Sequence, residues 1–104
     1  MAFKAIIMLT RRDGMSRDEF AEWWLRRHAP LARQLPDVRD ARFNLVLGDE
    51  TGGVDGISEL WFDSQSAFEA AYASELGQRV AADSLANVSG RQRLFVEEHR
   101  ILEG

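Results

Sequence analysis

Hydrophobic residues change their spacing several times along the chain, and each change marks an element. Phe3 to Thr10 (FKAIIMLT) is β-branched and apolar at both odd and even positions, the pattern of a strand covered on both faces. Asp13-Gly14 closes it with turn chemistry. Ser16-Arg-Asp-Glu19 then forms a capping box, in which the serine hydroxyl accepts from the Glu19 amide and the Glu19 carboxylate reaches back. Asp18 and Glu19 also suit the positive end of a helix dipole. In the following helix Phe20, Trp24, His28 and Leu31 recur at intervals of four, four and three, with Trp23 beside them, so they share one stripe. Pro30 lacks an amide and crowds the carbonyl four residues back, so it is expected to bend or interrupt this helix.

Val38 to Leu47 predicts a second strand, polar at its start. Gly48 to Gly56, with four glycines and three acids, predicts a flexible hairpin connection. Gly56 to Phe62 (GISELWF) is a third strand, apolar on both parities at its end. Asp63-Ser64 caps a short helix through Tyr72, and Ser74 caps another with Leu76, Val80 and Ala81 inward. Arg91 to Leu102 is the last strand. The order βαββαβ predicts a ferredoxin-like α+β sandwich on an antiparallel four-stranded sheet. Its first and third strands should be central and apolar. The second and fourth, carrying VRDAR and VEEHR, should be charged edges. Helices cover only one face of such a sheet, so central strands apolar on both faces call for a second subunit. A homodimer is expected.

Composition narrows the picture further. One domain spanning residues 1–104 is expected, with 45% apolar residues that argue against disorder. Thirteen basic against seventeen acidic residues give a charge of −4, which argues against nucleic acid or an anionic membrane as partner. The absence of Cys excludes disulfides, thiolate metal sites and thiol nucleophiles. The longest apolar run, Ala5 to Leu9, is too short to span a bilayer, and the Arg11-Arg12-Asp13 after it does not suit a signal peptide. A cytoplasmic protein is expected.

Ser16 to Phe20 (SRDEF), followed by Trp23-Trp24-Leu25 and His28-Ala29-Pro30-Leu31, resembles the EthD family. So do Glu59-Leu60-Trp61-Phe62-Asp63 and Val96-Glu97-Glu98-His99, and the likeness runs from Phe3 to Leu102. The Trp-x-x-x-x-His-Ala-Pro segment is its most specific part. The resemblance implies a dimeric α+β barrel, in which two ferredoxin-like sheets pack face to face. It implies no single reaction. The family is named after a protein encoded with an ether-degrading cytochrome P450 system. Relatives include a methylmuconolactone methylisomerase and fungal polyketide dehydratases or decarboxylases. It also implies that the histidine of the motif lines a pocket.

Three sets of residues suggest chemistry. His28, on the buried stripe beside the Pro30 bend, suits a general base and acid working near neutral pH. Equally, it suits a core imidazole satisfied by a carbonyl at a helix end. Glu97 and His99 share a strand face and would form a second acid–base unit, with His28 completing the two-His, one-carboxylate count of non-haem iron sites. A charged edge strand explains them as well, and no metal is expected. Trp24, Phe43, Asn44 and Trp61 are candidate ligand contacts, and Arg42 and Arg93 weaker ones for a carboxylate or phenolate. No Gly-x-Ser-x-Gly elbow or phosphate-binding glycine loop is present.

Three functions fit. The first is a cofactor-free proton-transfer enzyme, an isomerase, dehydratase or decarboxylase acting on a small aromatic, lactone or polyketide-like compound. The second is a non-catalytic accessory protein that holds such a molecule for an oxidoreductase. The third is a cofactor-free or haem-dependent monooxygenase. No cofactor is expected for the first.

Overall fold

The computed structural model describes residues 2–48 and 52–103. Its strands are β1 (Ala2–Arg11), β2 (Asp40–Leu45), β3 (Gly56–Phe62) and β4 (Val88–Glu98). Between β1 and β2 run α1 (Arg17–Trp23), a π-turn (Trp24–His28) and α2 (Ala29–Ala32). Between β3 and β4 lie α3 (Gln65–Ala73) and α4 (Glu75–Asn87). The strands form one antiparallel sheet in the order β2-β3-β1-β4, a ferredoxin-like α+β arrangement. The apolar strands are central and the charged ones are edges, as their patterns predict.

Two boundaries differ from expectation. β4 begins at Val88, three residues before Arg91, because α4 passes into it with no loop and the Asn87 carbonyl accepts from the Arg12 amide at 3.1 Å. It ends at Glu98, because Ala2↔Glu98 is the last pair β1 can offer. Of the hairpin connection, residues 49–51 lie outside the described part. Its second half is tied down: buried Asp55 accepts from the Arg11 amide at 2.9 Å and the Arg11 guanidinium at 2.8 Å.

The Ser16–Glu19 capping box forms with both of its hydrogen bonds. Pro30 does not break the helix it starts. The backbone stays right-handed from Trp23 through Ala29, and the Ala29 amide donates to the Trp24 carbonyl five residues back. A widened turn absorbs the proline that an α-helical turn would not. The expected interruption is therefore a π-turn, and His28 is its last residue.

The two faces of the sheet differ. Ala5, Ile7 and Leu9 of β1 and Leu60 and Phe62 of β3 are buried under Phe20, Trp23, Trp24, Phe68 and Val80 of the helices. Each large side chain buried there contributes about 1.5–3 kcal/mol. The other face carries the alternate residues: Lys4, Ile6, Met8, Asn44, Ile57, Glu59, Trp61, Leu94 and Val96. No described helix covers it, and Leu94 is 43% exposed. Lys4 sits among these apolar residues, its ammonium 2.9 Å from Glu59 and 3.2 Å from Glu98. Glu98 also accepts from the Trp61 indole at 2.8 Å, and Glu59 from the Asn44 amide at 3.2 Å.

Ser74 ends α3 and caps α4, its hydroxyl accepting from the Gly77 amide at 3.0 Å. The corner is so tight that a Cβ on Gly77 would lie 2.1 Å from the Ala71 carbonyl oxygen and 2.5 Å from the Tyr72 Cα. Backbone cannot yield as a side chain can. Gly77→Ala should therefore destabilise the protein by about 1–3 kcal/mol or more in urea denaturation, whereas Ala82→Gly on the exposed side of α4 should cost about 1 kcal/mol or less.

Candidate functional site

The helical run and α4 meet at one carboxylate. Asp83 Oδ2 accepts from Trp23 Nε1 at 3.1 Å and lies 2.8 Å from His28 Nδ1. Both donors reach it because α1 hands over to the π-turn at this point. A carboxylate that already takes an indole proton is an acceptor, so Nδ1 carries the imidazole proton and Nε2 keeps its lone pair. Nε2 has no partner among the described residues.

Burial pushes the His28 pKa below the ordinary histidine value, with the nearby Arg91 charge adding to that. The hydrogen bond to Asp83 and its charge pull the other way. The balance leaves a neutral imidazole at pH 7 with one basic nitrogen free. That is the condition a general base needs.

His28 lines a cavity between helices and sheet, together with Trp24, Phe43, Ser58, Tyr72, Ser84 and Arg91, over a floor of Ile7, Leu9 and Leu60. The Trp24 ring is pressed onto the sheet where Gly56 leaves room: a Cβ there would stand 2.7 Å from two ring carbons. Phe43 stacks on Trp24 with centroids 4.5 Å apart. Trp24 Nε1 is buried with no acceptor among the described residues, which costs about 1–3 kcal/mol. The Tyr72 hydroxyl also makes no hydrogen bond to a described residue, and burial raises its pKa, so it stays a proton donor. The cavity measures about 10 Å³, room for about one water.

The expected site residues separate into three places. Trp24, His28 and Phe43 come together at the cavity. Asn44 and Trp61 lie on the opposite face of the sheet, in the Lys4 network. Glu97 and His99 do pair, at 2.7 Å, but both are exposed. Glu97 is six residues along β4 from Arg91, about 20 Å at strand rise, so it is remote from the cavity. Among the described residues no cluster of three His, Asp or Glu could hold a metal, so the two-His, one-carboxylate set does not assemble. Arg42 stacks over Trp61, also on the open face. The sequence reading missed Asp83, Tyr72, Ser84 and Arg91. Only Asp83 had a signal to follow, as an acid on a helix that covers the same sheet face as the His28 stripe.

The lowered His28 pKa makes stability depend on pH with a defined sign. The unfolded chain binds this proton at the ordinary value near 6.5 and the folded chain only below it. The contribution is therefore whole above that value and falls as pH drops through it towards the folded pKa. Urea midpoints should decline between pH 7.5 and 5.5 more steeply for the wild type than for His28→Gln. Parallel declines would mean that the imidazole is not held neutral.

The EthD domain family matches residues 12–90. An 11.0 kDa protein of the thcB-thcC intergenic region of Rhodococcus erythropolis is 34% identical over 89 residues, covering 80% of this chain and 84% of its own. An EthD-family protein of Bacillus halodurans superposes with a TM-score of 0.82 at 22% identity, covering 95% of this chain and all of that one (100%). A dimeric ferredoxin-like protein from Thermobifida fusca gives 0.75 at 18% identity, with 92% and 90% covered. A cofactor-independent oxygenase from Streptomyces nogalater gives 0.71 at 14% identity, with 99% and 98% covered. A hydroxynitrile lyase from Passiflora edulis gives 0.73 at 14% identity, with 95% and 96% covered. The structural likenesses are of fold. No helix among the described residues is long and apolar enough to cross a membrane. On the family match and the Rhodococcus relative, the chain belongs to the EthD family.

Proposed function

We propose that this chain is a homodimeric enzyme that transfers protons on a small hydrophobic or aromatic molecule, with His28 as base and acid and no cofactor. The carrying observation is the dyad of His28 Nδ1 and Asp83 Oδ2 at 2.8 Å, which leaves Nε2 free in an enclosed site. In the step it suits, Nε2 takes a proton from a carbon next to a carbonyl. The C–H electron pair becomes a C=C bond and the carbonyl oxygen becomes an oxyanion. Asp83 faces the imidazolium as it forms, and the Tyr72 and Ser84 hydroxyls are the donors available to the oxyanion. Return of the proton at another position is isomerisation, and departure of a leaving group is elimination.

The cavity is much smaller than the ~300 Å³ or more of ordinary ligand sites. Substrate entry therefore requires lining side chains to move. Tyr72 and Arg91 are the long ones that no hydrogen bond to a described residue holds. Glu97 and His99 have no part in this reading. The dimer is supported by the uncovered sheet face and by the dimeric ferredoxin-like neighbour. An oxygenase shares the fold, but the His–Asp pair favours proton transfer.

Incubation in D₂O with a panel of lactones, enolisable ketones and phenols should show deuterium entering at an activated carbon. His28→Ala should slow that exchange by about 10²–10⁴-fold. Exchange unchanged in the variant removes His28 from the mechanism, and saturable binding without exchange marks a binder.

The wild type should also have a dimer's mass by light scattering. Ile6→Glu, at the middle of the open face, should have a monomer's mass with an unchanged far-UV spectrum. A wild type that is monomeric at every concentration overturns the dimer.

A further inference from the structure

We infer that Arg91 is a specificity-determining residue of the His28 cavity and selects small molecules that carry a carboxylate. This rests on the reading of that cavity as the reaction site. The register places Arg91 opposite Leu9 and Arg93 opposite Ile7, so both arginines leave β4 on the helix-covered face. They are used differently there. The Arg93 guanidinium lies over the rings of Phe95 and Phe68, 4.6 and 5.6 Å from their centroids. It is engaged as a cover for the core. Arg91 lines the cavity, and its side chain, on an exposed residue, makes no hydrogen bond or ion pair with any described residue.

The charge around the cavity is one-sided. Its lining holds no Asp or Glu, so Arg91 is its one formal charge among the described residues while His28 is neutral. Asp83, behind His28, is already occupied by two donors. The Tyr72 hydroxyl and the Trp24 indole N–H of the wall are also donors with no acceptor among the described residues, while Ser58 Oγ donates to the Ile7 carbonyl at 3.5 Å. A wall with spare donors and a spare positive charge fits a ligand rich in acceptors. A carboxylate matches the guanidinium fork with two parallel hydrogen bonds. The Arg91 charge is felt at both His28 and Tyr72, so a carboxylate bound to it sits near the reacting nitrogen.

Cancelling the Arg91 charge also removes one of the two influences that hold the His28 pKa down. A bound carboxylate should thus make Nε2 a stronger base. A neutral molecule of the same shape should not.

The test follows His28 ring resonances by NMR while adding formate, acetate or benzoate, and in parallel formamide, acetamide or benzamide. At least one carboxylate should saturate the shift at about 10–100-fold lower concentration than its amide. Arg91→Gln should erase that preference, so that acid and amide saturate at similar concentrations, and Arg91→Lys should restore part of it. If acids and amides shift His28 equally, or if Arg91→Gln keeps the preference, the Arg91 role is overturned while the cavity reading stands. If neither series moves His28 at any size, the cavity reading falls and the Arg91 role with it.

Discussion

One carboxylate oxygen joins the two helical segments that cover the sheet of this protein. Asp83 Oδ2 accepts from an indole in α1 and faces an imidazole at the end of the π-turn, from a helix more than fifty residues later in the chain. It fixes the imidazole tautomer, offsets part of the desolvation of His28 and sets α4 against the helical run. The contact depends in turn on Pro30. Without the widened turn that accommodates it, Trp23 and His28 would not present their nitrogens to the same atom. A backbone constraint that looks like a defect in an α-helix is here what positions the imidazole against Asp83.

The same division of labour appears in the sheet. On the central strands its helix-covered face is mostly apolar, whereas its open face has Lys4 between two carboxylates among aliphatic residues. Hydrogen bonding to Glu59 leads the effects that raise the Lys4 pKa, and the same contact lowers that of Glu59, so the pair stays ionised. Covering this face with a second copy would take the charges further from water. Only a network whose members already satisfy one another tolerates that. Glu98 is tied to both Lys4 and Trp61, so the network is tightly cross-linked. In such a pair it would favour one alignment of two sheets over others that aliphatic contact alone would permit.

Element order, strand centrality, the capping box and the buried stripe were legible because each rests on local periodicity or on spacing within one turn. The candidate site was legible only in part, and the scatter of its expected residues has physical causes. Phe43 and Asn44 are adjacent on β2, so a period of two sends them to opposite faces, and they cannot both line one cavity. Trp61 faces away from Leu60 for the same reason. Glu97 and His99 were rightly paired with each other, but the distance along β4 that parts them from His28 needs the register to be known. Asp83 did not stand out because a lone acid on an amphipathic helix is ordinary. It becomes significant only when a partner 55 residues away is placed against it.

The smallness of the cavity then bears on how such a protein can act at all. A single chain of this size has few buried residues to spare, and here they pack down to a space of about one water. Yet a buried indole donor and a neutral imidazole nitrogen are both left unpaired in that packing. Each lowers stability, and neither is needed to complete the core. Both groups border the same cavity, and the side chains that constrict it from β4 and α3 are the ones without hydrogen bonds to hold them. The core is therefore closed where it must be rigid, at Trp23, Asp83 and Gly56. It is weakly held only on the side from which a molecule with acceptor atoms would have to come.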